Sequence, residues 1–270
     1  MKKRYLIRLG IIGAVALGVY IPVFIWVFDR WTSAETYYSH GILIPIISIF
    51  LVWQKRKKLN LLKFNPTRKG WLFFIPGILI YLISSLWGVY FSAGFSLLLV
   101  LTGLILLFLG RQFLKKLLFP LFFLIFMIPL PMVAIANLSF RLKILASQVA
   151  VFIVNMLGLP AIREGSVIKT AHSYLVVEDP CSGIRSLIAL IALGTLLAYL
   201  SRLSKPKKVV LFLSAIPIAI FSNVIRIAAL TLVSEMYGSK VATGTFHDVM
   251  GIMVFVIAFL GLALVGKVLE

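Results

Sequence analysis

The chain has 270 residues, of which 61% are hydrophobic and only 13% charged, and its mean hydropathy of +1.09 excludes an ordinary water-soluble domain and makes lipid the solvent. The net charge of +19 falls in short Lys/Arg clusters between apolar runs, the pattern of loops retained in the cytoplasm, which excludes a nucleic-acid binder. A single cysteine, Cys181, excludes an intramolecular disulfide, an iron–sulfur site and a multi-thiolate zinc site, and neither metal nor cofactor is expected.

A helix needs ~20 apolar residues to cross the hydrocarbon. The apolar runs are Ile7–Phe28, Gly41–Trp53 (short, and beginning near Tyr37 or Ser39), Trp71–Tyr90, Phe95–Leu109, Leu117–Ile135, Ile184–Leu200, Val209–Val233 and Val249–Leu264. They predict an all-α polytopic membrane protein of about eight transmembrane helices, forming a single membrane-embedded domain over residues 1–270. The first run follows a basic start and is read as an uncleaved helix. With Lys2, Lys3, Arg4 and Arg8 inside, parity puts Asp29–His40 outside, Gln54–Gly70 inside, Gly88–Gly94 outside and Gly110–Lys116 inside.

Counting back from the basic loop Arg202–Lys208 places Pro160–Cys181 outside. Asn137–Leu159 then has both ends on one side. It carries Arg141, Lys143, Ser147, Gln148 and Asn155, and each charge in hydrocarbon costs ~2.5–3.5 kcal/mol on insertion scales. It is therefore expected to be an amphipathic helix lying in the outer interface. Ile162–Val177 alternates apolar and polar residues with β-branched character and predicts a small non-cytoplasmic hairpin. Thr243–Asp248, after Gly238, is expected as a loop or re-entrant segment before the last helix.

Three residues able to serve as nucleophile, cation and base are assigned to one outer layer by this topology. Cys181 lies in Glu178-Asp-Pro-Cys-Ser-Gly-Ile-Arg185, where Pro180 and Gly183 put it at the start of the helix beginning near Ile184, a position that favours the thiolate. Arg226, in Ser222-Asn-Val-Ile-Arg226, is deep in an apolar helix and must face a cavity or a partner; Asn223, three residues earlier, shares its face. A structural pair with Glu178, Asp179 or Glu235 is the alternative reading. His247 precedes the last span, and imidazole suits proton transfer to and from a thiol or a leaving amine. Together they suit thiol chemistry on a peptide carbonyl, with Arg226 stabilising the oxyanion.

Tyr38-Ser-His-Gly41 followed by Pro45, Cys181-Ser-Gly-Ile-Arg185, Asn223-Val-Ile-Arg226 and His247 with Gly251 form an ordered set that resembles the exosortase and archaeosortase family of membrane-embedded sorting enzymes. The resemblance implies that Cys181, Arg226 and His247 are catalytic. It implies as substrates exported proteins carrying a C-terminal short motif, a transmembrane helix and a basic end, with a lipid or glycan acceptor for the product. Asp179-Pro180 stands where the family favours a small residue before the cysteine. Asn223, Arg185, Glu178, Asp179 and His40 are the supporting or substrate-binding candidates. The expected location is the inner (cytoplasmic) membrane, multi-pass, with the active site on the non-cytoplasmic face. The rival readings are a transporter, a non-catalytic scaffold of an export or polysaccharide system, or an enzyme using Ser166, Ser182 or Ser186 as nucleophile.

Overall fold

The computed structural model describes residues 2–33, 36–177 and 182–270. The chain divides into two compact units, Met1–Leu130 and Pro131–Glu270.

The first unit opens with α1 (Lys2–Val19) and α2 (Ile21–Thr32), bent by 62° against each other. Pro22, in the first turn of α2, lacks the N–H that would have continued the ladder, and its ring crowds the preceding turn. A 3₁₀ turn (Ser39–Ile42) leads into α3 (Leu43–Gln54), and α4 (Arg56–Asn60) follows. Next come α5 (Trp71–Leu86), α6 (Tyr90–Leu104) with a π turn (Ile105–Leu109), and α7 (Arg111–Phe123) with a 3₁₀ turn (Leu124–Met127). Tyr20 is fully buried at the α1–α2 bend. Its hydroxyl pairs with Ser96 Oγ at 2.7 Å and its ring packs on Tyr81 at 4.5 Å, which satisfies a polar group that would be costly to leave unmatched.

The second unit comprises α8 (Met132–Met156), strands β1 (Ala161–Glu164), β2 (Val167–Thr170) and β3 (Tyr174–Val176), then α9 (Ile184–Leu200), α10 (Lys205–Tyr237), α11 (Ser239–Thr243) and α12 (Thr245–Leu269). Helix α10 is central, packed by α8, α9, α11, α12 and β3. Seven of its twelve buried positions, Leu211, Ala215, Ala219, Asn223, Arg226, Leu230 and Ser234, recur at three- and four-residue steps and form one stripe, and from Ser222 to Thr231 burial extends around the helix. Small residues at Ala215 and Ala219 let neighbouring helices approach, as membrane packing favours. Helix α8 runs beside α10 in the same direction. Leu142 and Ala146 line a cavity with Ala219 and Asn223, and Ala150 and Val154 join the apolar cluster of Ile227, Ala228 and Leu230.

The sheet is antiparallel in the order β1-β2-β3. Ile168, Leu175 and Val177 pack into the same cluster against α8 and α10. Asn155 joins α8 to β1, its Nδ2 donating to Ala161 O (3.1 Å) and its Oδ1 accepting from Ala161 N (2.7 Å).

Three expectations change. Five helices, Arg68–Leu86, Tyr90–Leu109, Met132–Met156, Lys205–Tyr237 and Val249–Leu269, are long and apolar enough to cross a membrane. The bent pair Gly10–Val19 and Ile21–Thr32 makes a sixth if it counts as one, and Ser39–Gln54 and Ile184–Leu200 are shorter. The eight spans are thus not reproduced as eight. One cause is that Pro129 and Pro131 split the run Leu117–Ile135 between α7 and α8. The polar stretch Asn137–Leu159, expected as an interfacial helix, falls mostly inside the 25-residue α8, which by length and composition qualifies as a span. Two of its polar residues are used internally: Ser147 is buried, donating to Lys143 O at 2.7 Å, and Asn155 holds the sheet. Thr243–Asp248 is helical apart from the break at Gly244, so α12 begins at Thr245 rather than after a loop.

Candidate functional site

Arg226 and His247, 21 residues apart on α10 and α12, meet. The Arg226 Nη2 lies 2.9 Å from His247 Nε2, and 3.4 Å from both Nδ1 and the backbone oxygen. A guanidinium can only donate, and it stands against both ring nitrogens of His247. Gly251, one turn after His247 on the same face, would place an added Cβ 3.5 Å from Arg226 Nη2, so the guanidinium lies along the α12 surface. Arg226 is 9% exposed, and the contact with His247 supplies the partner that a charge at such a place requires.

One turn before Arg226, buried Asn223 faces the start of α9. Gly183, the residue preceding α9, has φ +81°, a left-handed conformation that disfavours any residue with a Cβ. An added Cβ there would stand 2.7 Å from Asn223 Cγ and 2.8 Å from its Nδ2. Ser182 is buried beside it, with Ile184 N 3.4 Å from its Oγ, and Ser182, Gly183 and Asn223 line one small cavity. The expected helix start at Ile184 is therefore found, seated on Asn223. Cys181, Glu178 and Asp179 lie outside the described residues.

A second cleft contains His247. Leu175, Val176 and Val177 of the β3 segment, Ile227 and Leu230 of α10, and Thr243 of α11 line it with the imidazole. The sheet is tied to α10 by contacts that the sequence did not disclose. Glu235 Oε2 accepts from Thr170 Oγ1 at 2.5 Å and from His172 N at 3.2 Å, and its Oε1 is 2.7 Å from His172 Nδ1. Ser173 and Ser234 hydroxyls pair at 2.7 Å. Glu235 is thus engaged by the β2–β3 turn and is not the partner of Arg226. The only clue in the sequence was an acid near the end of a long apolar helix, without indication of what it binds.

Arg185 occupies the first turn of α9, its Nε buried without a partner among the described residues. His40 belongs to the first unit, stacked on Tyr38 at 5.7 Å. Around it the motif is a packing hub. Tyr38 is buried and its hydroxyl accepts from Leu130 N at 3.1 Å. Gly41 is covered by the Trp31 indole, whose Nε1 would be 2.1 Å from an added Cβ and itself donates to Met127 O at 2.9 Å. His172 is exposed and faces Glu235.

No curated protein and no solved structure matches the chain. The family model described as transmembrane exosortase matches residues 31–264, nearly all of the chain and every motif named above. Exosortases are membrane-embedded sorting enzymes that act on exported proteins, and this chain belongs to the transmembrane exosortase family.

Proposed function

We propose that the protein is a membrane cysteine peptidase and transpeptidase that removes the C-terminal sorting signal (a short motif, a transmembrane helix and a basic end) from exported proteins and passes the new carboxyl end to water or to a lipid or glycan acceptor. The observation that carries this reading is the 2.9 Å approach of Arg226 to His247 one turn from Asn223, on which the residues following Cys181 are seated. Cys181 stands two residues before Gly183 in the sequence, which supports assigning it as the nucleophile of this site.

The resting contact has a chemical consequence. At rest Arg226 stands against the ring nitrogens of His247. A substrate carbonyl that draws the guanidinium toward its oxygen releases the imidazole to take the Cys181 proton. The thiolate then adds to the carbonyl carbon, and the oxyanion is held by Arg226. The imidazolium returns its proton to the amide nitrogen as the C–N bond breaks, leaving a thioester. The acceptor hydroxyl, amine or water loses its proton to the imidazole, attacks the thioester, and expels the Cys181 sulfur. Asn223 positions the loop–helix junction that carries the nucleophile. The reaction would be performed at the non-cytoplasmic face of the cell's inner membrane.

The test is co-expression with an exported reporter bearing such a tail, comparing wild type with Cys181→Ala by intact mass of the product. Loss of the processed species in the variant, at unchanged membrane abundance, is expected. Equal processing by both forms would reject the thiol mechanism.

A further inference from the structure

We infer that one end of the first unit, where α3 closes, α5 begins and the π turn meets α7, is a binding face for anionic phospholipid headgroups. The inference is independent of the proposed activity and begins with charge. Residues 55–69 contain seven Lys and Arg and residues 111–116 three more, and no Asp or Glu occurs between Glu35 and Glu164. The fold stitches these two cationic segments together. Asn65 N donates to Leu109 O (3.2 Å) and Thr67 N to Leu106 O (3.0 Å), and Phe64 stacks on Phe113 with ring centroids 5.4 Å apart. Lys55 Nζ donates to Lys116 O at 2.6 Å, which draws the end of α3 onto α7. Gly110 closes the seam: its φ is +94°, a glycine conformation, and an added Cβ would stand 1.9 Å from Asn65 O.

Like charges gathered in this way repel one another, and with no acid in either segment the counter-charge comes from outside the chain. The surface beside the cations says what carries it. Phe50 and Trp53 at the end of α3, Trp71 and Leu72 at the start of α5, and Leu118 on α7 are between 49% and 73% exposed. The Arg56 guanidinium lies over the Trp53 ring, 3.8 Å from its centroid, and exposed indoles beside Lys and Arg mark the boundary of a bilayer. A ligand that meets the cations and this apolar rim together has an anionic head on an apolar body. Nucleic acid or an acidic soluble protein would satisfy the charge and leave the rim in water. Acidic leaflets attract basic clusters that flank spans, each cation contributing about fivefold in affinity.

The test titrates the purified full-length protein, in neutral detergent at fixed ionic strength, with phosphatidylglycerol, phosphatidylcholine, free glycerol phosphate or polyglutamate, and reads bound adducts by native mass spectrometry. Wild type is expected to take phosphatidylglycerol at least tenfold more tightly than phosphatidylcholine. Lys58, Arg68 and Arg111 are exposed, and Lys58→Gln, Arg68→Gln and Arg111→Gln combined should weaken phosphatidylglycerol at least tenfold and leave phosphatidylcholine unchanged. Arg202, Lys205 and Lys267 of the second unit are likewise exposed; their combined change to Gln removes the same charge and should weaken it less than threefold. No preference in wild type, equal losses in the two triple variants, or glycerol phosphate or polyglutamate binding as tightly as the lipid would each overturn the inference. Should the first variant fold poorly, a photoactivatable phosphatidylglycerol cross-linked to wild type locates the site without substitution. Adducts within residues 50–72 or 111–122 support the face, and adducts confined to the second unit would overturn it.

Discussion

Gly183→Ala tests whether the loop–helix junction before α9 is seated as described. Two separate costs follow from the structure. At φ +81° any residue with a Cβ costs about 1–2 kcal/mol in backbone strain. The new methyl, 2.7–2.9 Å from three atoms of Asn223, adds an overpacking cost of about 1–3 kcal/mol. Gly165 separates them, having φ +62° with nothing within 4 Å of an added Cβ, so Gly165→Ala carries the backbone cost alone. For a chain of this size about 1 kcal/mol corresponds to roughly 2–4 °C. Gly183→Ala should therefore lower the thermal midpoint in detergent by about 4–20 °C, and Gly165→Ala by about 2–8 °C. The methyl must also push Asn223 aside, and Asn223 is one turn from Arg226, so reporter processing should fall in Gly183→Ala well beyond the loss of folded protein and stay near normal in Gly165→Ala. Equal melting and equal processing for the two variants would refute the seating of the α9 start on Asn223.

Arg226→Gln, which keeps a donor but no charge, should reduce processing by about 10²–10³-fold, the usual cost of losing an oxyanion donor, measured as initial rate with purified reporter; a loss below threefold would remove Arg226 from the reaction. Tyr38→Phe deletes the buried acceptor of the Leu130 N–H and leaves that amide unmatched at a cost of about 1–3 kcal/mol, so the melting midpoint should drop by several degrees, and an unchanged midpoint would disprove the bond. Glu235→Ala strips the β2–β3 turn of its bonds from Thr170 and His172; limited proteolysis should then cut near Ala171–Ser173 in the variant and not in wild type, and identical digestion patterns would show that the turn is held by other contacts.

Of the candidate site, the meeting of Arg226 with His247 was legible because its chemistry is unusual for its surroundings, while Cys181 lies outside the described residues. An arginine inside an apolar helix demands a partner, and His247 was one of only three histidines in the chain. Pairing the two needed no geometry beyond the assignment of both to one layer. The partner of Glu235 was not legible, because Thr170 and His172 lie more than sixty residues away and no local pattern announces them. The sheet was half readable: alternation over Ile162–Val177 revealed strands, but whether the segment folds once or twice depends on the turn at Ala171–His172, which lacks a glycine signal. The span count is not confirmed where hydropathy and helix continuity diverge. Hydropathy sees Leu117–Ile135 as one run, whereas Pro129 and Pro131 divide it. It sees polar residues near Arg141 as a break, whereas the ladder of α8 passes through them unbroken.

Helix α10 works as a ruler. Its 33 residues reach about 50 Å at 1.5 Å per residue, against roughly 30 Å of hydrocarbon. Arg226 stands about 32 Å along the axis from Lys205. Under the proposed topology, with the lysines at the cytoplasmic boundary and the axis along the bilayer normal, the guanidinium lies level with the other boundary. Under the proposed activity, a tail-anchored polypeptide offers for cleavage whichever bond emerges from the lipid at that height. One extra turn in its anchoring helix, about 5.4 Å, would carry that bond out of register, so anchor length joins the motif in determining which exported proteins are cut.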